Sequence, residues 1–165
     1  MRIVFRCILL AVLAALGVWL WFVLFPGPER LIRQRLMKLA NTASFSSGES
    51  NFARLAAAQS LAGFFATNVE VDINVPGRVQ HTLVGRDDIQ QAALGARERL
   101  SGLKVAFPDI NITVAPDKQS ATVDLTVEVS ITGEHDSIVQ EMKFTFQNTE
   151  DGWLIARVET VRTLS

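Results

Sequence analysis

Two patterns divide the chain. Cys7–Phe25 runs for 19 positions without a charge, long enough as a helix to span roughly 28 Å, the thickness of a bilayer core. Pro26-Gly27-Pro28 stops that helix, and the following pattern is amphipathic instead. Within Glu29–Asn41, Ile32, Leu36 and Leu39 recur at helical spacing among Arg30, Arg33 and Lys38. The small and polar residues of Thr42–Gly48 predict a loop. A second helix is expected from about Glu49 to Ala66, packing through Phe52, Leu55, Ala56, Gln59, Ala62 and Gly63.

The period then changes to two. Val69, Val71, Ile73 and Val75 alternate with Glu70, Asp72 and Asn74, and Pro76-Gly77 turns the chain into Val79, His81 and Leu83. A third helix opens after Gly85, with Asp87 and Asp88 placed to cap its free amides, and Gly102 ends it. Four long strands are expected after it: Leu103–Ala115, Gln119–Thr132, Ser137–Asn148 and Gly152–Leu164. Turn residues between them predict antiparallel hairpins. Ala121, Val123, Leu125, Val127, Val129 and Ile131 share one face, as do Met142, Phe144 and Phe146. A sheet with one dry face needs a cover, and the three helices are the material for it. The expected fold is α+β: a membrane anchor over residues 1–27, then one domain over 28–165 with three helices on a strongly bent antiparallel sheet of about six strands.

Charge sharpens this division. The formal net charge of −1 conceals +5 over residues 1–41 and −6 over the remainder. An acidic domain lacks the basic face that phosphate neutralisation requires, which argues against nucleic acid as a partner. The basic segment after the apolar run suits lipid headgroups, and Trp19 and Trp21 suit an interfacial belt. Cleavage near Ala15-Leu16-Gly17, the rival signal-peptide reading, would strand Val18–Phe25 as an apolar tail on a soluble protein. The balance of Arg and Lys on either side of the span does not favour export. The sole cysteine, Cys7, lies within the run and leaves the domain free of thiols, as an oxidising compartment allows. The expected location is a bacterial inner membrane with the domain outside the cytoplasm.

The element order, with Gly85-Arg86-Asp87-Asp88-Ile89 opening the third helix, Gly152-Trp153-Leu154-Ile155 opening the last strand and Phe64–Val69 leading into the first, resembles the nuclear transport factor 2-like superfamily. SnoaL-like and ketosteroid-isomerase-like proteins belong to it. The resemblance spans about residues 29 to 164 and rests on structural motifs. It implies a cone, a bent sheet wrapped round the helices with a pocket at its open end. Function is not implied, since the superfamily includes isomerases, dehydratases, ligand binders and assembly modules.

Candidate chemistry is sparse. Isomerase-like members pair a carboxylate base with oxyanion donors, commonly tyrosine, and this chain has no tyrosine. Of two histidines, His135 falls in a turn, where a solvated histidine is the expectation. His81, in register with Val79 and Leu83, is the candidate acid/base or ligand contact, with Asp72 on the neighbouring strand as its orienter. Alternation also groups Asp72 with Glu70 and Asn74, away from the apolar face. Trp153 and Arg157 are candidate ligand contacts on the final strand. An inward Arg157 requires a carboxylate such as Asp109 or an anionic ligand, whereas a bulge turns it outward. No metal spacing and no cofactor motif is present. The reading that results is a membrane-tethered, non-catalytic domain binding a small apolar ligand or a protein partner, with homodimerisation through the polar sheet face as a further option. Its alternative is a SnoaL-like isomerase or hydratase acting on a hydrophobic substrate.

Overall fold

The computed structural model describes residues 12, 14–16, 27–73 and 81–161, with the backbone alone at position 81. The expected span Cys7–Phe25 and the turn at Pro76-Gly77 therefore lie outside the described residues or nearly so. No described helix is long and apolar enough to cross a membrane.

Helix α1 (Pro28–Ala43) starts with proline in its first turn, where the missing N–H costs nothing, and buries Ile32, Leu36, Leu39 and Ala40 along one stripe. Helix α2 (Asn51–Ala62) follows the N-cap Ser50, whose hydroxyl accepts from the Ala53 N–H at 3.2 Å. It is shorter than the sequence pattern predicts, and of the residues expected to pack only Ala62 is buried. Ala58 and Ala62 are buried, while Phe52 is 82% and Leu55 48% exposed. The small alanine side allows close approach to α3 (Arg86–Arg99), and the bulkier stripe is left to solvent.

The sheet is β1 (Phe65–Ile73), β2 (His81–Val84), β3 (Leu103–Ala106), β4 (Ile110–Val114), β5 (Ser120–Ile131), β6 (Ile138–Thr149) and β7 (Gly152–Thr160). Its order is β2-β1-β7-β6-β5-β3, with β4 also on β5, giving a curved sheet that does not close. Two expectations are corrected. The single strand foreseen over Leu103–Ala115 is two strands, so the sheet has seven strands rather than about six. Phe107-Pro108-Asp109 interrupts it, and proline has no N–H for the ladder. The halves pair in turn with the far and near ends of β5, Leu103 opposite Ile131 and Val114 opposite Ala121. The sheet is also mixed rather than antiparallel, because β1 lies parallel to β7 while its hairpin partner β2 is antiparallel. The long path from β1 through α3 to the last strand makes that parallel pairing reachable.

The inner face runs through Val69, Val71, Val123, Leu125, Phe144, Phe146, Ile155 and Val158, all buried against the α1 stripe. A register shift between Thr145/Phe146 and Arg157/Ile155 leaves Ala156 as the extra residue of a bulge in β7. Trp153 and Ile155 are buried, yet Arg157 emerges on the opposite face. The bulge therefore decides the orientation that parity alone leaves open.

The start of α3 departs from simple capping by its acidic pair. Gly85, at φ 88, holds the N-cap position without any side-chain cap bond, and this left-handed backbone favours glycine. Asp88 instead accepts from the Val84 N–H at 3.1 Å, tying the helix back to β2. Arg86 donates from Nε and Nη2 to the Phe65 carbonyl at 2.9 and 2.7 Å, fastening the same corner to β1.

Candidate functional site

The concave side of the sheet is occupied by its own core. Arg97 is the one charged side chain buried among the described residues, at 4% exposure. Beyond this core, α3 and β2 border a cavity of about 680 Å³. Leu83, Ala92, Ala96 and Leu100 supply apolar wall, and Asp88, Gln91 and Arg99 supply polar groups. Its volume falls in the range that takes a small organic molecule. Gly95 also lines it. The cavity exists because α3 turns its Ile89 and Arg97 side toward the interior, leaving the adjoining small-residue face toward β2.

The sequence candidates are dispersed. Asp72 lies on the face opposite buried Val71, and its carboxylate accepts from the Thr82 hydroxyl at 2.9 Å. Glu159 stands beside Asp72, Lys143 beside Glu159 and Asp124 beside Lys143, so Asp72 belongs to a charged row across the outer face. The backbone of His81 pairs with Ile73, one step from the Asp72–Thr82 pair; its side chain lies outside the described residues. Arg157 is half exposed and pairs with Glu70 at 3.5 Å and Glu159 at 3.3 Å, not with Asp109. Trp153 is 5% exposed, packed at the start of β7 near α1. His135 is exposed in the β5–β6 turn. Among the described residues no group of three or more His, Cys, Asp or Glu side chains is placed to hold a metal ion.

Three arginines organise the helices. Arg97 holds both Glu49 carboxylate oxygens from one guanidinium nitrogen at 2.8 and 2.7 Å, donates to the Thr42 carbonyl and lies 4.7 Å over the Phe45 ring. It pins the loop between α1 and α2 onto α3. Arg86 ties α3 to β1, as above. Arg35 donates from Nη2 to the Gly63 carbonyl at 3.1 Å and sits 5.4 Å from the Phe64 ring, while its Nε is buried without a partner. Partial burial lowers the Arg35 pKa; Asp151 opposes this and Arg86 adds to it. The signal for two of them was spacing: Arg35 falls between Ile32 and Leu39 on the buried stripe of α1, and Arg97 continues the Ile89, Ala93 series of α3.

No protein-family model matches the sequence, and no curated protein matches it. Solved structures do. An NTF2-like protein with a cystatin-like fold from Novosphingobium aromaticivorans superposes with a TM-score of 0.62 at 21% identity, over 90% of this chain and 88% of that one. A scytalone dehydratase candidate from the same organism gives 0.59 at 18% identity, over 82% and 84%. An NTF2-like protein of unknown function from Pseudomonas putida gives 0.61 at 8% identity, over 83% and 87%. The chain therefore has the NTF2-like fold, and at these identities the likeness extends to fold alone.

Proposed function

We propose that the chain is a membrane-tethered, non-catalytic NTF2-like domain that binds a small apolar ligand between α3 and β2. The observation that carries the binding reading is the contrast between a concave face filled by aliphatic and aromatic side chains and an open, largely apolar cavity beside it. Acid/base catalysis needs a titratable group within reach of a sheltered substrate and free to exchange a proton with it. Asp88, the carboxylate that lines this cavity, is engaged by the Val84 N–H, and Asp72 stands on the outer face of the sheet, engaged by Thr82. Ligand binding needs only complementary surface, which Leu83, Ala92, Ala96 and Leu100 supply, with Gln91 and Arg99 available to orient a polar end. Tethering rests on the uncharged Cys7–Phe25 run and the basic residues that follow it.

Native mass spectrometry of the full chain, extracted from its source membranes in mild detergent, tests the binding reading. The expected result is a retained small organic mass that disappears in Ala96→Trp, whose indole obstructs the cavity. A chain that retains nothing, or retains the same mass in that variant, removes the α3–β2 site. The SnoaL-like isomerase or hydratase alternative gains support if the retained molecule is converted on incubation and His81→Ala abolishes conversion without lowering stability. Resistance to alkaline extraction, with release after deletion of residues 1–27, is the expected signature of the tether.

A further inference from the structure

A second cavity, of about 210 Å³, lies between α1 and the start of β7, away from the α3–β2 site. Arg35, Lys38 and Gln34 present donors to it, and Leu31, Phe64 and Trp153 wall it. Gly152 completes the lining: a Cβ there would reach within 3.8 Å of Arg35 Nη1, so its absence leaves that side of the guanidinium uncovered.

The electrostatics of this cavity are unbalanced. Among the described residues no carboxylate forms an ion pair with Arg35, Lys38 or Arg86, whereas Arg97 pairs with one and Arg157 with two. The charges that act on Arg35 are Asp151, in the turn before β7, and Arg86, at the start of α3. Arg35 thus holds a partly desolvated cation in place with one carbonyl and one aromatic ring, and Nε has no partner. A guanidinium carries five donors and matches an oxyanion in two-point contact. Lys38 stands three residues further along the same helix, where side chains become neighbours, and adds a second positive charge. Binding an anion here would offset the desolvation that Arg35 carries in its absence. The walls add a condition. Leu31, Phe64 and Trp153 favour a ligand with carbon next to its charged head, and the volume accommodates the head and a short length of that body.

We propose that this cavity binds a phosphate group borne on an apolar body, with Arg35 as the principal contact and Lys38 as the second. A lipid headgroup and a soluble phosphate monoester share this chemistry. Only the choice between them depends on whether the chain is anchored.

The test is calorimetric titration of the full chain, in non-ionic detergent, with mono-octyl phosphate. Saturable binding is expected, weakened about ten- to a hundredfold in Arg35→Gln, the range for losing hydrogen bonds to a charged partner, and about threefold in Lys38→Gln. Repeating the titration in phosphatidylcholine nanodiscs with and without phosphatidic acid separates the sources. Weaker mono-octyl phosphate binding when phosphatidic acid is present identifies the headgroup, and equal binding identifies a soluble ligand. The proposal is overturned if mono-octyl phosphate does not bind saturably, or if an Arg35→Gln chain that melts like the wild type binds it as tightly. Should Arg35→Gln not fold, Lys38→Gln, altered at an exposed position, decides the matter: unchanged affinity there overturns the proposal equally.

Discussion

Arg97 and Arg35 are both helical arginines set among apolar stripes, and they have opposite surroundings. Arg97 is enclosed by a carboxylate, a backbone carbonyl and a ring, so its burial is compensated and its effect is to fix one helix against a loop. Arg35 has a carbonyl and a ring but no carboxylate in ion-pair contact, and its buried Nε is unpartnered. A buried charge is therefore not by itself a mark of function. The balance of its partners separates a strut from a group with binding capacity to spare.

That distinction is open to breaking by mutation, most forcefully at Arg97. Arg97→Ala leaves Glu49 and the Thr42 carbonyl without their donor, and should cost about 3 kcal/mol in chemical denaturation. A loss under about 1 kcal/mol would mean the clamp is idle. Close by, Gly102→Ala would place a Cβ 2.5 Å from Thr132 Oγ1 and 3.2 Å from the Phe45 carbonyl, at the bridge that carries Arg97's aromatic neighbour. Its expected cost is about 2 kcal/mol, and a melting temperature equal to wild type would show that Thr132 moves aside freely. Ser50→Ala removes the N-cap of α2 and should cost about 1 kcal/mol, with loss of amide-exchange protection confined to the first turn of that helix. Arg35→Gln should leave stability within about 0.5 kcal/mol of wild type, since losing the Gly63 bond is offset by removing a desolvated cation. Equal losses at Arg35 and Arg97 would erase the contrast between them. Arg157→Ala, at a half-exposed surface pair, should change stability least, by under about 0.5 kcal/mol, and that small change should vanish in high salt.

The strands were legible from alternation. Val123 and Leu125 on β5, with Met142, Phe144 and Phe146 on β6, are buried as their period of two requires. The element order likewise points to the fold that the solved structures share. What alternation does not encode is the bulge at Ala156, which reverses the facing of Arg157 relative to Ile155. Nor does it encode the parallel β1–β7 pairing, which depends on contacts distant in sequence. For α2 the hydrophobic pattern pointed to the bulkier stripe, but alanine packs closer, and Phe52 was left in solvent. The site was less legible than the fold. Asp72 and His81 were paired by their nearness on adjacent strands, whereas register sets Asp72 against Thr82. Arg35 and Arg97 were not singled out, because a hydrophobic pattern carries no information about the partners a long cation will find.

The central claim is that the α3–β2 cavity, rather than the concave face or the outer row around Asp72, receives the ligand. Hydrogen–deuterium exchange on the full chain in detergent, comparing protein as extracted with protein stripped of small molecules, addresses it directly. The account predicts that ligand slows exchange across Gln91–Leu100 and β2, while the strands carrying Asp72, Lys143 and Asp124 exchange alike in both samples. Protection centred on Asp72 and its neighbours, with Gln91–Leu100 unchanged, would contradict it.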